Sequence, residues 1–388
     1  MVDALTLPIV VIGSGLAGYT LAREFRKLDK ETSLFVVSRD HANSYYKPTL
    51  SNALAGNKTA AALVMKSAEK MADELQATVR PHAEIQRIDT VAQTVHWVSG
   101  GAPLAYRDLV LALGAEQIRP PLQGDGASSI LSVNDLDDYA LFLAKLEAVP
   151  RVAILGAGLI GCEFANDLLS RGIEPTLIDP AAWPLSRLLP PAAGQRLRER
   201  LAAVGTRFRF GSTASGLERV GAGYMLRLSD GSALPSDLVL SAIGLRPRVG
   251  LARDAGIGVN RGIVTNRVLA TSAAHVYALG DCAEVEGHTL PYVAPILQQA
   301  RALAATLSGN ATPVVYPAMP VVVKTPACPT VVCPPPPSAN GDWSVQESED
   351  SVDARFTDTD GSLRGFALLG AAIAQRQKLA AQVPDLLP

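Results

Sequence analysis

Cysteine is scarce in this sequence, and the cysteines are scattered. The four are Cys162, Cys282, Cys328 and Cys333. No Cys-x-x-Cys motif occurs, which excludes a zinc ribbon and a thioredoxin-like dithiol. Two states stay open for Cys328 and Cys333, a labile disulfide or two reduced, packed thiols, and a reducing cytosol favours the thiols. We therefore assign the cysteines no chemistry and expect no disulfide reduction.

The sequence also lacks a long hydrophobic run. Although 48% of the residues are hydrophobic, no stretch approaches the roughly 18 to 20 uninterrupted apolar residues that a membrane span needs. The first residues show neither the basic segment nor the cleavage site of a secretory signal. We therefore expect a globular, cytoplasmic protein with no membrane span.

Neither sign of charge is in excess, and histidine is rare. The 35 basic and 37 acidic side chains leave a formal charge of −2, which gives no reason to expect nucleic acid or an anionic membrane as a partner. The five histidines are isolated and have no metal-ligand spacing: His41, His82, His96, His275 and His288. No His or carboxylate dyad suggests hydrolysis. We expect neither a metal site nor a hydrolytic mechanism.

The sequence contains one local pattern twice. The first copy consists of an apolar strand at 8–12, a glycine-rich turn at 13–18, a helix to about residue 28 and a strand at 34–37. The second consists of a strand at 151–155, a turn at 156–161, a helix and a strand at 175–179. Each copy is a βαβ unit with a G-x-G-x-x-G turn between strand and helix. One such turn is weak evidence, but two in this context predict two dinucleotide-binding modules.

Each glycine of these turns has a physical purpose. The first makes the turn, the second lets a diphosphate approach the backbone, and the third allows close packing of helix on strand. The three roles fall to Gly13, Gly15 and Gly18 in the first unit and to Gly156, Gly158 and Gly161 in the second. The helix N-terminus then faces the negative charge of the ligand.

The second strand of each unit ends differently. Asp179 closes that strand in the second unit, where a carboxylate accepts hydrogen bonds from an adenosine ribose and repels a 2′-phosphate, so NADH is favoured over NADPH. The alternative is an ordinary strand-end aspartate. The first unit reads Ser38-Arg39-Asp40 at this place, with no carboxylate directly at the strand end, and Arg39 is a candidate to cover the adenine instead.

The length and the strand order predict three domains. A chain of 388 residues exceeds one ordinary core. Two further apolar strands, at 109–114 and 237–244, each follow a βαβ unit by a similar interval. We therefore expect a discontinuous first nucleotide domain at 1–114 and 244–316, with a second one at 115–243 inserted in it. Residues 317–388, with strand-like 321–323, a proline-rich turn at 334–337 and a final amphipathic helix, are expected to form a small α+β domain.

The motifs in chain order resemble a known superfamily. A short strand leading to Gly280-Asp281 follows both fingerprints and Leu113-Gly114-Ala115, and together they resemble the pyridine nucleotide-disulfide oxidoreductases, in the branch of rubredoxin and ferredoxin reductases that lacks a redox disulfide. Residues 46–51, 158–165 and 323–326 bring the likeness closer to the bacterial rubredoxin–NAD reductases of alkane oxidation. It covers essentially the whole chain.

This resemblance implies an α/β fold with two Rossmann-like domains, for FAD and NAD, and a small C-terminal α+β domain. The residues that it implies for FAD are Gly13, Ser14, Gly15, Ala17, Gly18, Arg39, Lys47, Pro48, Gly114, Ala115, Gly280, Asp281, Val293 and Lys324. Those for NADH are Gly156, Gly158, Leu159, Ile160, Gly161, Asp179 and Gly244.

The resemblance also implies three catalytic residues. Lys47 and Glu163 are expected to form an ion pair beside the N5 and O4 edge of the flavin, with Lys324 approaching from the C-terminal domain. Cations and helix N-termini there stabilise the negative charge that hydride transfer places on the ring, and a helix beginning after Pro295 is a candidate for the C2=O end. The alternatives are a first-turn glutamate, a solvated loop lysine and a lysine extending from a strand end.

The implied reaction is hydride transfer from NADH to FAD, followed by single-electron transfer to rubredoxin, with a role in alkane hydroxylation. Rubredoxins are typically acidic, so a local basic patch is expected, with candidates Arg39, Lys47, Lys58 and Arg301. A monomer is expected. Two alternatives stay open: a ferredoxin or flavorubredoxin reductase, and an NADH-responsive flavoprotein that acts as a sensor or binding module.

Overall fold

The computed structural model describes residues 7–388. Its first segment, to residue 114, contains β1 (Ile9–Ile12), α1 (Leu16–Leu28), β2 (Leu34–Val37), α2 (Ala60–Leu63), α3 (Ala68–Leu75), β3 (Thr78–Arg80), β4 (Ile85–Asp89), β5 (Thr94–Trp97), β6 (Leu104–Ala105) and β7 (Asp108–Leu111). The helix and strands of the first βαβ unit lie where the sequence predicts them.

The second segment, from 115 to 243, contains β8 (Ala115–Gln117), α4 (Leu136–Lys145), β9 (Arg151–Leu155), α5 (Leu159–Leu169), β10 (Glu174–Asp179), α6 (Pro191–Ala203), β11 (Arg207–Phe210), β12 (Ala214–Val220), β13 (Gly223–Leu228), β14 (Ala233–Ser236) and β15 (Leu238–Ser241). Strands β9 and β10, with α5 between them, repeat the βαβ pattern of the first segment.

The remaining elements follow in two groups. From 244 to 316 they are β16 (Leu245–Pro247), α7 (Gly250–Asp254), β17 (Ile263–Thr265), β18 (Val276–Ala278), β19 (Ala283–Val285) and α8 (Val293–Leu307). From 317 they are β20 (Val321–Val323), β21 (Thr330–Cys333), β22 (Gly341–Glu347), β23 (Ser351–Asp358), β24 (Leu363–Gly370) and α9 (Arg376–Ala380).

Two parallel sheets form the centres of the nucleotide modules. The first has the order β18-β7-β1-β2-β3 and the second the order β11-β10-β9-β15. Strands β1, β7 and β15 are buried along their whole length, as expected where a parallel sheet is covered on both faces. Because β18 pairs with β7, the chain returns to the first sheet after it has formed the second.

Smaller sheets complete the molecule. Antiparallel β4-β5-β6 accompanies the first parallel sheet and β12-β13-β14 the second, and β8 pairs with β16 where the chain crosses between them. The C-terminal segment forms a five-stranded antiparallel sheet, β20-β21-β24-β23-β22. The architecture agrees with the expected α/β class, while the domain boundaries at 114, 243 and 316 stay predictions.

One expectation about the helices needs correction. Helix α8 begins at Val293, two residues before Pro295 and not after it. Proline is tolerated there because a backbone N–H in the first turn of a helix has no partner within the helix. The expected final helix is present as α9, which has five residues. In the part of the chain from residue 7 onward, no helix is both long and apolar enough to cross a membrane.

Candidate active site

The first glycine turn has three different environments. Gly13 has φ +118°, and a Cβ there would lie 2.2 Å from the carbonyl oxygen of Ala112. A Cβ on Gly18 would lie 1.9 Å from the oxygen of Gly13. Around Gly15, by contrast, a Cβ would meet nothing within 4 Å. The fold itself therefore requires glycine at the first and third positions, and the open space at the second suits a ligand that approaches the backbone.

The second glycine turn repeats this arrangement. Gly156 has φ +98°, and a Cβ there would lie 2.6 Å from the carbonyl oxygen of Ala242. A Cβ on Gly161 would lie 2.0 Å from the oxygen of Gly156, whereas one on Gly158 would again meet nothing within 4 Å. Two sites in one chain thus share the geometry that a dinucleotide diphosphate needs.

Both helix N-termini at these turns are available to an anion. Helices α1 and α5 begin after Gly15 and Gly158, and neither has a side-chain cap or an acidic residue in its first turn. Their first N–H groups therefore favour a negatively charged ligand. Leu159 and Ile160 open α5, and Ile160 is 43% exposed, so an apolar side chain lies beside the second turn.

Carboxylates tie each turn to the next strand. Asp179 accepts hydrogen bonds from the backbone N–H groups of Ala157 at 2.7 Å and Ala181 at 2.8 Å. It thus orders the second turn, and its remaining lone pairs suit a ribose hydroxyl. In the first unit Asp40 accepts from Ser38 Oγ at 2.7 Å, and the Ser38 and Ser14 hydroxyls lie 2.6 Å apart. The carboxylate of the first unit therefore lies beyond the strand end, while Arg39 is exposed.

The Gly280-Asp281 segment follows β18 as a short 3-10 turn. Gly280 has φ +79°, and a Cβ there would come 2.7 Å from Cβ of Ala17, so this turn packs directly on the helix of the first fingerprint. The N–H of Gly280 donates to Gln299 Oε1 at 2.6 Å, and Gln299 Nε2 donates to the Tyr316 hydroxyl at 2.7 Å. Gln299 and Tyr316 lie outside any motif, so the sequence did not reveal this supporting pair.

Lys47 has a different partner from the expected one. Its Nζ donates to Asn134 Oδ1 at 2.6 Å, and no ion pair joins it to Glu163 in the part of the chain that the structure describes. Burial lowers the pKa of Lys47, partly offset by the carboxylate of Asp281. Burial raises the pKa of Asp281, and the charge of Lys47 opposes that shift. Each of the two groups therefore stabilises the charged form of the other.

The expected Lys47–Glu163 pair is wrong because Glu163 already has other donors. Glu163 is buried on α5 and forms a salt bridge with Lys324 Nζ. It also accepts from the backbone N–H of Lys324 at 3.0 Å and from Ser51 Oγ at 2.5 Å. The carboxylate thus joins three parts of the chain: the turn that starts at Lys47 and Pro48, the fingerprint helix, and the C-terminal segment.

Helix α5 makes further bonds on the same side. Asp167, one turn after Glu163, accepts from the N–H groups of Leu54 at 2.8 Å and Ala55 at 2.9 Å. Asn166 Oδ1 accepts from the N–H of Ala327 at 3.1 Å. Residues three and four apart share one face of a helix, so the helix that begins at the second glycine turn is anchored to both of its neighbours.

Two residues near Lys47 were not identified from the sequence. Asn134 is buried, and besides the lysine it reaches the oxygen of Ala115 through Nδ2 at 3.0 Å. Arg248 donates from its backbone N–H to the oxygen of Gly114 at 3.0 Å. Asn134 lies in a connecting segment without a pattern, so no local signal could have identified it. Arg248 follows Gly244 closely in sequence, and that proximity was the one indication that it lies near the site.

The proposed basic patch is only partly available. Arg39, Lys58 and Arg301 are exposed, whereas Lys47 is bonded to Asn134. Lys47 is therefore not a free docking cation. All four cysteines are free and buried, and within residues 7–388 no cluster of three metal-ligating side chains occurs.

The two sites fit the cofactors that the sequence implies. Each has a glycine turn with open space at its centre and an uncapped helix N-terminus. Asp281 follows Gly280, which packs on Ala17 beside the first turn, and its charge acts on Lys47. Helix α8 packs on α1 and begins at Val293, with no side-chain cap or acidic residue in its first turn. This donor set suits FAD at the first turn and NADH at the second.

Comparison with known sequence families gives two matches. The family described as pyridine nucleotide-disulphide oxidoreductase matches residues 7–304. A family described as rubredoxin binding C-terminal domain matches residues 313–383. The two matches together account for nearly all of the chain.

Several relatives are similar over almost their whole length. A rubredoxin-NAD(+) reductase of Alcanivorax borkumensis is 48% identical, covering 98% of this chain and 100% of the relative. One of Acinetobacter baylyi is 47% identical, covering 98% and 99%. A nitric oxide reductase FlRd-NAD(+) reductase of Aeromonas hydrophila is 38% identical, covering 97% and 96%.

Solved structures agree. A covalent complex of putidaredoxin reductase with putidaredoxin superimposes with a TM-score of 0.88 at 25% identity, covering 97% of this chain and 94% of that one. A ferredoxin reductase from Rhodopseudomonas palustris gives a TM-score of 0.87 at 25% identity, covering 97% and 95%. The fold expected from the two fingerprints is confirmed.

Proposed function

The chain belongs to the pyridine nucleotide-disulphide oxidoreductase family, and we propose that it is an FAD-dependent reductase that passes electrons from NADH to rubredoxin. The observation that carries this proposal is the match of residues 313–383 to a rubredoxin-binding domain. That domain follows, in one chain, two sites built for dinucleotides. The same order of parts is expected in an enzyme that takes electrons from a nicotinamide and delivers them to a small iron protein.

The chain's residues fit defined tasks in this reaction. Bound FAD would supply the chemistry that links the two-electron donor NADH to a one-electron acceptor. The Gly15 turn and α1 would hold its diphosphate, and Asp281 would accept hydrogen bonds from its ribityl chain. The Gly158 turn and α5 would hold the diphosphate of NADH, with Asp179 at its ribose. Gly244, with φ +122°, lies at the crossing between the two sheets and gives the nicotinamide room.

Three positive groups would stabilise the negative charge that the reaction places on the flavin. Lys47 is held by Asn134 and attracted by Asp281, and Lys324 is held by Glu163. The N-terminus of α8 at Val293 adds a positive end. Groups held in advance stabilise developing charge without reorganising during the reaction. We therefore assign Lys47 and Lys324 to charge stabilisation, and Glu163 to fixing Lys324.

Acceptor choice belongs to this proposal as well. The relatives of Alcanivorax and Acinetobacter carry rubredoxin in their names, and that of Aeromonas carries FlRd. The greater identity to the first two favours rubredoxin over a flavorubredoxin. A [2Fe–2S] ferredoxin is a further alternative, supported by the structural likeness to ferredoxin reductases. A role in alkane hydroxylation, a cytoplasmic location and a monomeric state complete the proposal.

The test is anaerobic stopped-flow absorbance of the purified flavoprotein. Mixing with NADH should bleach the flavin within milliseconds to seconds. A second mixing with oxidised rubredoxin should then reduce the rubredoxin rapidly, and parallel runs with ferredoxin and flavorubredoxin should be slower. Purified protein without a flavin spectrum would refute the proposal.

The same experiment separates the reductase from the sensor. A sensor would turn over slowly with every acceptor and change its size when NADH binds, which size-exclusion chromatography with and without NADH measures. Flavin that bleaches but reduces no iron protein would favour the sensor.

A further inference from the structure

Arg248 is a half-buried arginine with an unused hydrogen-bond donor. It follows β16, where the chain returns to the first sheet, and its side chain is 26% exposed. Among residues 7–388 its Nε has no hydrogen-bond partner, although this atom is buried. The carboxylate in range, that of Glu116, lies 3.9 Å away and already accepts from Arg246 Nε at 2.6 Å. A buried donor without a partner costs free energy.

Charged groups of both signs act on Arg248. Burial lowers the pKa of Arg248, the charge of Arg39 lowers it further, and Glu116, Asp135 and Asp138 offset part of the shift. Arg248 in turn opposes the charge of Lys47. Arg248 therefore has both cations and carboxylates around it, and what invites an anionic ligand is its unpaired Nε donor, not a net positive charge.

The backbone contacts of Arg248 place it beside the first glycine turn. Its N–H donates to the oxygen of Gly114 at 3.0 Å, and its Nη1 donates to the oxygen of Leu113 at 3.3 Å. The residue just before these, Ala112, is the one whose oxygen would lie 2.2 Å from a Cβ on Gly13. The guanidinium is therefore tied to the segment that runs against the turn expected to hold a diphosphate.

We propose that Arg248 is a cofactor-binding residue whose guanidinium forms hydrogen bonds with the diphosphate of FAD. The inference rests on the proposed function, since it takes FAD as the ligand of the first turn. A guanidinium carries several N–H donors in a planar fork that matches phosphate oxygens. The backbone N–H and Nη1 contact the Leu113-Gly114 backbone, and the free Nε supplies the unused donor. The diphosphate of FAD would thus lie between Arg39, near the adenine end of the cofactor, and Lys47, near its flavin end.

The test measures cofactor affinity, not turnover. FAD is removed from the purified protein, and the apoprotein is titrated with FAD while the flavin fluorescence is followed. Arg248→Gln should weaken FAD binding about 10- to 100-fold, the range for loss of a hydrogen bond to a charged group. Arg253→Gln, an exposed arginine on α7 in the same segment, is the matched control and should leave the dissociation constant unchanged. Arg248→Lys keeps the charge but not the fork and should give an intermediate loss.

Competition identifies the part of FAD that is bound. Adenosine diphosphate, which shares the diphosphate and lacks the flavin, is used to displace FAD. Its affinity should fall in Arg248→Gln by a factor similar to that for FAD. A variant that loses FAD affinity but keeps ADP affinity would place Arg248 at the flavin ring and overturn the proposal.

The remaining outcomes separate this inference from the proposed function. Wild-type apoprotein that does not bind FAD would refute both. Wild-type protein that binds FAD, with Arg248→Gln binding it equally well, would overturn only the role of Arg248. Should Arg248→Gln fail to fold, by circular dichroism, Arg248→Lys decides: a several-fold loss of FAD and ADP affinity supports the proposal, and wild-type affinity overturns it.

Discussion

Replacing the central glycine of the second turn with alanine should separate ligand binding from folding. Gly158 has φ −76° and ψ −170°, which alanine adopts without strain, and a Cβ there meets nothing within 4 Å. The fold should therefore tolerate Gly158→Ala. Alanine has fewer conformations than glycine in the unfolded chain, so the free energy of unfolding should rise by about 0.4–1 kcal/mol. The methyl group, however, occupies the space through which a diphosphate would reach the backbone N–H groups.

The expected loss of NAD⁺ affinity follows from the bonds that the methyl group blocks. A hydrogen bond to a charged group contributes about 1.5–3 kcal/mol, and displacement of the diphosphate affects at least two of them. A loss of about 3 kcal/mol corresponds to a dissociation constant roughly 100-fold higher, since each 1.4 kcal/mol is a factor of ten. Isothermal titration of the oxidised holoprotein with NAD⁺ measures this constant, and thermal unfolding measures stability in the same samples.

Two further glycine variants serve as controls. Gly15→Ala should weaken FAD binding and leave NAD⁺ affinity unchanged, because it alters only the first turn. Gly161→Ala should lower the unfolding temperature whether or not NAD⁺ is present, because its Cβ would lie 2.0 Å from a backbone oxygen. Wild-type NAD⁺ affinity in Gly158→Ala would refute the assignment of the second turn to the nicotinamide cofactor.

Three more predictions follow from charge and burial. Because burial lowers the pKa of Lys47, its ammonium is lost at lower pH than that of an exposed lysine, so the stopped-flow rate of flavin reduction should fall as pH rises. Asn134→Asp, which sets a carboxylate beside the ammonium, should raise that pKa and move the fall to higher pH; an unchanged profile would exclude Lys47 from charge stabilisation. Asp179→Asn, which keeps the size of the side chain, should reduce the preference for NADH over NADPH in kcat/KM about tenfold, the value of one charge-assisted hydrogen bond, and an unaltered ratio would count against ribose binding. Burial raises the pKa of the Cys328 thiol and raises that of Cys333 to about 11, so iodoacetamide should label both only after denaturation, as mass spectrometry can follow, and labelling of the native protein would contradict their burial.

Much of the fold was predictable because its signals are local. A glycine turn between an apolar strand and a helix depends on residues within about thirty positions. Contacts inside their own units require Gly18 and Gly161, whereas Gly13 and Gly156 are required by the distant residues Ala112 and Ala242, which follow β7 and β15. The sequence predicts too late a start for α8, because a proline is acceptable just inside a helix as well as just before one. The return of β18 to the first sheet was predictable only through the repetition of the whole module.

The pairing of charges depended on how the domains pack. Lys47 and Asn134 are 87 residues apart in sequence, and Glu163 and Lys324 are 161 apart. The sequence identified Lys47, Glu163 and Lys324 as candidates, yet it paired the wrong two, because a lysine carries no local mark of its partner. The segment 46–52 and the C-terminal strand β20 both face α5, and the packing of all three decides which donors Glu163 accepts.

The sequence alone thus determined that the chain has two dinucleotide turns, no redox dithiol and a third domain, since turns, spacings and absences are properties of short segments. Only the tertiary structure decided that Asn134 binds Lys47 and that Glu163 binds Lys324. It also decided that Arg248 lies beside the first turn and that its Nε has no hydrogen-bond partner within residues 7–388. The physical reason is that hydrogen bonds and ion pairs act over a few ångströms. The partners are set by which distant segments of the chain pack together, and no single segment specifies that packing.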